Sequence, residues 1–377
     1  MTKLGVLFSV LGVGAGCIPA FAQKQLPNII VMLSDDQGWG DLGFTGNTFV
    51  QTPNIDRIAH EGTILENFYV CPVSSPTRAE FLTGRYHVRS GVNSTTGGGE
   101  RFNLGEKTIA EYFREAGYAT SLFGKWHSGT QYPYHPNARG FEEFYGFCSG
   151  HWGNYWNPVL EHNGEIISGE GFIIDDLTDK ALDYIRDHKE HPFFMFLSYN
   201  TPHSPMQVPD SWWNRVKDRT LSQRATFPEQ EDTTFTKAAL ALAENLDWNI
   251  GRVLSLLHSL DLEQETIVIY FSDNGPNSFR WNGGMKGRKG STDEGGVRSP
   301  FCIRWPGHIR KGAVETQLSG AIDLIPTLLG LAGIEYTPLR KLDGIDWGQR
   351  LLDEKAPAMD RVLYSYWGGK TSVRIPY

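Results

Sequence analysis

Three compact apolar runs, each breaking abruptly into polar residues, constrain this chain more than any other feature. PNIIVML (27–33) leads into Ser34-Asp35-Asp36-Gln37-Gly38, TIVIYF (266–271) into Ser272-Asp273-Asn274-Gly275, and PFFMFLSY (192–199) into Asn200-Thr201-Pro202-His203. Runs this short, rich in β-branched and aromatic residues, read as strands buried on both faces. Helix candidates lie between and around them at 107–116, 172–189 and 237–260, the last with Leu242, Leu246, Ile250, Leu254 and Leu257 along one face. Alternating strands and helices predict an α/β fold with a mainly parallel central sheet flanked by helices. Such sheets carry their chemistry at the C-terminal strand ends, where the polar residues fall.

Two of those ends are acidic. Asp35, Asp36, Asp273 and Asn274 offer the carboxylate and amide oxygens that suit a hard divalent cation, calcium or magnesium rather than zinc, if the two strands are neighbours. The same residue types also serve as turn formers and helix caps, and that reading stands beside the first. Lys125-Trp126-His127, His203 and the run Lys286, Arg288, Lys289 would complete a site for an anionic group, or would be surface charges and a packed histidine. A formal net charge of -8, with both signs spread along the chain, argues against a nucleic-acid backbone as partner. It leaves a small anionic substrate open, because a local cluster outweighs the total.

The first 22 residues are set apart. Lys3, the apolar run LGVLFSVLGVGAG and Ala20-Phe21-Ala22 have the three parts of a secretory signal cleaved before Gln23. They predict export to the periplasm or beyond, and the run is short for a membrane span. No later segment is apolar enough to insert stably in a membrane. Residues 23–350 read as one catalytic domain without a linker, followed by 351–377, where VLYSYWGGKTSVRIPY suggests two strands joined by a Gly-Gly turn. Cys71, Cys148 and Cys302 leave room for one bridge and one spare thiol.

VCPVSSPTRAEFLTGR (70–85) poses the question of a nucleophile, since it holds Cys71, Ser74 and Ser75. Together with SDDQGWGDLG (34–43), GKWH (124–127), PHSP (202–205), SDNG (272–275), KGSTDEGGVRSP (289–300) and IDLIPTLLGLAG (322–333), in that order, it resembles the sulfatase family of the alkaline-phosphatase-like superfamily. The family motif is a nucleophile, any residue, Pro, any residue, Arg, four residues and Thr-Gly. Counting from Ser74 places Pro76, Arg78, Thr83 and Gly84 correctly; Cys71 and Ser75 put Val73 and Thr77 where proline belongs. Pro76 near a helix start would hold Ser74 at a helix N-terminus, where backbone N–H groups favour an anion.

The resemblance implies that Ser74 is oxidised to formylglycine by a serine-type maturation enzyme and hydrated to a geminal diol. A diol has one oxygen to attack sulfur and a second whose deprotonation expels sulfate, which spares the difficult hydrolysis of a sulfated serine. It further implies one calcium ion held by Asp35, Asp36, Asp273, Asn274 and the oxygen of residue 74. Arg78 would orient the nucleophile, Lys125 and Lys289 would meet sulfate oxygens, His127 would act as base and His203 as leaving-group acid. The substrate class implied is a sulfate ester, above all of carbohydrates; Trp152, Tyr155, Trp156, Phe279 and Trp281 are aromatic faces for sugar rings or else core residues. Lys286 is assigned to the surface and Cys71 to packing. Two other readings remain: a phosphate ester or diester hydrolase using unmodified Ser74, and a noncatalytic binder of sulfated glycans. The family's smaller C-terminal subdomain is expected to be truncated in this chain.

Overall fold

The computed structural model describes residues 1–2 and 26–376, so the expected leader lies almost wholly outside the described residues. The three apolar runs form neighbouring strands at the middle of a ten-stranded sheet. Its order from one edge is Ala313–Glu315, Thr63–Leu65, Phe301–Arg304, Thr266–Ser272, Asn28–Ser34, Phe193–Ser198, Ala119–Lys125, Glu143–Phe147, Val159–His162, Glu165–Ser168. The five strands from Thr266–Ser272 to Glu143–Phe147 run parallel. Phe301–Arg304 on one side and the Val159–His162/Glu165–Ser168 hairpin on the other attach antiparallel.

Every residue of Asn28–Ser34, Phe193–Ser198 and Thr266–Ser272 is buried, so both faces of the sheet need cover. Strand alternation divides the load. Ile29, Val31 and Leu33 pack with Ala79, Phe81, Ile109, Phe113 and Ile325 on one face. Ile30 and Met32 pack with Ile55, Ile58, Leu177, Leu246 and Ile250 on the other. At about 1.5–3 kcal/mol for each large aliphatic side chain buried, these two layers dominate what holds the molecule together.

The helices begin where caps allow. The 107–116 candidate is Ile109–Glu115, started by a reciprocal Thr108/Glu111 capping box. The 237–260 candidate starts earlier, as Thr233–Ser259, because the Asp232 carboxylate accepts the N–H groups of Thr234 and Phe235. No helix among the described residues is long and apolar enough to cross a membrane. Near the C-terminus, Leu363–Trp367 and Lys370–Arg374 pair antiparallel around Gly368 and Gly369, both with left-handed φ, as the Gly-Gly turn required. The helix Gly348–Leu352 spans the division placed at residue 350. Cys71, Cys148 and Cys302 are buried free thiols, and the bridge their number would permit is not formed.

Candidate active site

Strand register assembles the acidic groups. Ser34 pairs with Ser272, so Asp35 and Asp273 leave adjacent strand ends at the same level, and the Asp273 N–H donates to Ser34 O at 3.1 Å. Asp36 then turns into the left-handed region at φ 64. Its N–H donates to Asp273 Oδ1 at 3.2 Å, and its carbonyl is held by the buried Arg280 at 3.0 Å. A non-glycine residue in this conformation costs roughly 1 kcal/mol or more and marks a constrained site. Asp35, Asp36, Asp273 and Asn274 are completely buried. On the far side of Asn274, Gly275 admits the 289–300 segment: a Cβ there would lie 2.0 Å from Gly295 O.

Ser74 is the first residue of the helix Ser74–Thr83, after the extended Val73, and all ten residues of that helix are buried. Its Oγ lies 3.1 Å from Asp35 Oδ1, 3.3 Å from Asn274 Oδ1 and 3.3 Å from Lys125 Nζ. Asn274 Nδ2 donates to Asp36 Oδ1 at 2.8 Å, which turns its oxygen toward Ser74. Lys125 reaches Asp35 Oδ2 at 2.6 Å, Lys289 reaches Asp36 at 2.6 Å, and Arg78 pairs with Asp273 at 3.0 Å. Burial would raise the Asp35 carboxyl, but Lys125 and then His203 hold it below its ordinary value. Burial opposes the charge on Lys289, yet Asp36 and Asp35 raise its pKa above normal.

The two histidines are held differently. His127 has a left-handed φ of 60, its N–H donates to Cys148 O at 3.2 Å, and its Nε2 lies 2.8 Å from Thr95 O. A carbonyl there requires N–H on Nε2, which leaves the buried, unpartnered Nδ1 as a bare lone pair. Burial, followed by the charge on Lys125, pushes this imidazole well below its usual pKa. His203 has Nδ1 2.7 Å from Ser204 O and Nε2 3.6 Å from Asp36 Oδ2.

The cluster tests well as a cation site. Ligand atoms of Asp35, Asp36 and His203 lie within 4.8 Å of one another, and the oxygens of Asp35, Asn274 and Ser74 converge. Three carboxylates already meet Arg78, Lys125 and Lys289, so an added dication would leave the site net positive, as an anionic ester needs.

The structure thus brings together Asp35, Asp36, Ser74, Arg78, Lys125, His127, His203, Lys289, Asp273 and Asn274. Lys286 stands apart, with its side chain 82% exposed and paired with Asp293. Tyr155 is buried and its hydroxyl donates to His203 O at 2.6 Å, so of the aromatic candidates it belongs to the core. Trp152 stacks on Phe147, and Trp156 is exposed. Arg280 and Ser198 were not foreseen. Ser198 Oγ lies 2.5 Å from Arg78 Nη1 and donates to Lys125 O at 2.7 Å, and a serine ending an otherwise apolar strand was the available signal.

Carboxylate and amide oxygens at the ends of parallel strands, facing a serine at a helix N-terminus beneath three cations, define a hydrolase of the alkaline-phosphatase-like class. The sulfatase family model matches residues 27–334; the chain belongs to the sulfatase family and is a sulfuric ester hydrolase. Mouse N-acetylgalactosamine-6-sulfatase is 32% identical over 402 residues, covering 97% of this chain and 72% of that protein. The uncharacterized sulfatase YdeN of Escherichia coli strain K12 is 30% identical over 407 residues, covering 92% and 70%. A crystal structure of Ps i-CgsB in complex with k-i-k-neocarrahexaose superposes with a TM-score of 0.82 at 31% identity, covering 93% of this chain and 82% of that one.

Proposed function

We propose that the protein hydrolyses sulfate esters of carbohydrates by S–O cleavage, with residue 74 matured from serine to formylglycine and one calcium ion beside it. The observation that carries this is Ser74 Oγ, which sits at a helix N-terminus within 3.3 Å of Asp35, Asn274 and Lys125. The motif register Ser74-Ser75-Pro76-Thr77-Arg78 selects the same residue. Carbohydrate is favoured by the name of the mouse relative and by the neocarrahexaose in the Ps i-CgsB complex.

Asp35, Asp36, Asp273 and Asn274 would hold the calcium. The ion would supply positive charge to the transferring sulfuryl group, and a hydrated aldehyde at residue 74 would supply the nucleophilic oxygen. Lys125, buried against Asp35, and Lys289, part-exposed against Asp36, hold ammonium groups beside residue 74 and the acidic cluster, where sulfate oxygens would lie. Arg78, fixed by Asp273 and Ser198, keeps residue 74 oriented. His127 presents a bare Nδ1 that can take a proton from residue 74 as sulfate is released. His203 donates Nδ1–H to Ser204 O, so a proton on Nε2 would go to the leaving oxygen. Export through the leader and action of a serine-type maturation enzyme beforehand belong to the same proposal.

Co-expression with such an enzyme should give a residue-74 peptide lighter by about two hydrogens, the change from alcohol to aldehyde. The modified protein should then release sulfate from sulfated saccharides and not phosphate from matched esters. Modified protein that releases no sulfate from any ester, or unmodified protein that cleaves phosphate esters, would sink the proposal.

A further inference from the structure

The loop Ser149-Gly150-His151-Trp152 runs between the two histidines given proton transfers. Gly150 lies against His127: a Cβ there would come within 2.5 Å of Nε2 and 2.8 Å of Cε1. Trp152 is anchored on Phe147, with ring centroids 5.2 Å apart and planes 25° apart. Phe147 in turn ends a sheet strand and accepts the Trp126 N–H at 3.0 Å. Both neighbours of His151 are therefore fixed to the sheet end that carries His127, and the Ser149 hydroxyl closes the turn on His151 O at 2.6 Å.

His151 itself is exposed. Its ring lies parallel to that of His203, centroids 6.0 Å and planes 13° apart, and its ring nitrogens have no hydrogen-bond partner among the described residues. With its backbone held on both sides and free ring nitrogens beside the residue proposed to face the leaving oxygen, His151 is in position to read the leaving group.

We infer that His151 is a specificity-determining residue that hydrogen-bonds the leaving alcohol. The alcohol it fits is a sugar, whose hydroxyl or amide oxygens flank the sulfated carbon, and not a phenol, which has none there. This rests on the sulfatase reading of the site given above. A site built to hydrogen-bond its substrate rejects analogues lacking the partner because its own polar atoms then go unpaired.

Two measurements test it. In a Ser74→Ala background, where turnover plays no part, His151→Ala should weaken binding of a sulfated N-acetylgalactosamine about tenfold by calorimetry, with His151→Asn regaining part of the loss. In the matured enzyme, His151→Ala should lower the ratio of kcat/KM for that saccharide to kcat/KM for nitrophenyl sulfate about tenfold, through KM. Unchanged saccharide binding overturns the inference. An equal fall of kcat on both substrates also overturns it, since His151 would then merely position His203. Loss of binding in His151→Ala in a parent that turns over no ester would support the contact while removing the proposed activity, so the two failures are separable.

Discussion

The thiol of Cys71 is the strongest intrinsic nucleophile near the motif, yet burial and Glu80 push its pKa well above the ordinary thiol value, so it stays protonated and inert. The Ser75 hydroxyl is committed to Ser94 O at 2.9 Å. Ser74 alone has its oxygen among the acidic and cationic groups. Ser74→Ala should therefore lower kcat on the order of 10⁶-fold, the scale set by removing a nucleophile, while Cys71→Ala should cost about 1 kcal/mol of stability and keep turnover. Assaying sulfate release alongside denaturant unfolding separates these outcomes. His127 yields a pH prediction. Because burial and Lys125 hold its pKa well below normal, the imidazole stays neutral, and able to accept a proton, down through its ordinary value of about 6.5. The acid limb of the kcat profile assigned to His127 should then fall below pH 6.5, and a limb at or above it would contradict the role. The cluster of Asp35, Asp36, Asp273 and Asn274 was legible in the sequence because strand ends and short motifs are local. The left-handed turns at Asp36 and His127 were not, since aspartate and histidine favour φ > 0 more than most residues but the residue type does not say which copy adopts it, and Arg280 acts from far along the chain.

Elements were legible where their signals lie within a few residues. The capping box at Thr108 and the apolar stripe of Thr233–Ser259 are of that kind. The start of Pro53–Glu61 is not: Thr52 makes no side-chain cap, and the orphan N–H groups of Asn54 and Ile55 instead donate to Asp247 Oδ1 at 2.9 and 2.8 Å. Asp247 belongs to another helix, so no local pattern reveals it. Burial outweighs these donors and lifts Asp247 to about 7. As pH rises past about 4, the unfolded carboxyl loses its proton while the folded one keeps it, so this group lowers stability until pH 7 and contributes no further change above. Asp247→Asn keeps an amide oxygen for both N–H groups and does not titrate. Its stability relative to the parent should grow as pH rises from about 4 to about 7 and then level off, as denaturant titrations at a series of pH values would show. A difference independent of pH would mean that Asp247 is ionised throughout.

At the scale of the whole molecule, strand order was the least legible feature, because short strands such as Thr63–Leu65 find their places through pairings with residues more than 200 positions away. The same long-range wiring ties the C-terminal hairpin to the site. Ser372 Oγ donates to Thr292 O at 2.8 Å, and Arg374 pairs with Glu294 at 3.2 Å. Glu294 also accepts the Tyr69 hydroxyl at 2.7 Å, and the His87 ring meets Tyr366 O at 3.0 Å. Thr292 and Glu294 lie three and five residues after Lys289, so the hairpin braces the segment that carries the ammonium proposed to meet sulfate. The Arg374–Glu294 pair is part-exposed and should contribute no more than about 1 kcal/mol to global stability. Misplacing Lys289 by a fraction of an ångström should matter more, because a catalytic group acts only when positioned. Arg374→Ala should thus leave Tm nearly unchanged while kcat/KM for sulfate esters falls roughly 3- to 10-fold. Tm falling steeply with kcat/KM intact would show that the hairpin supports the fold and not the site.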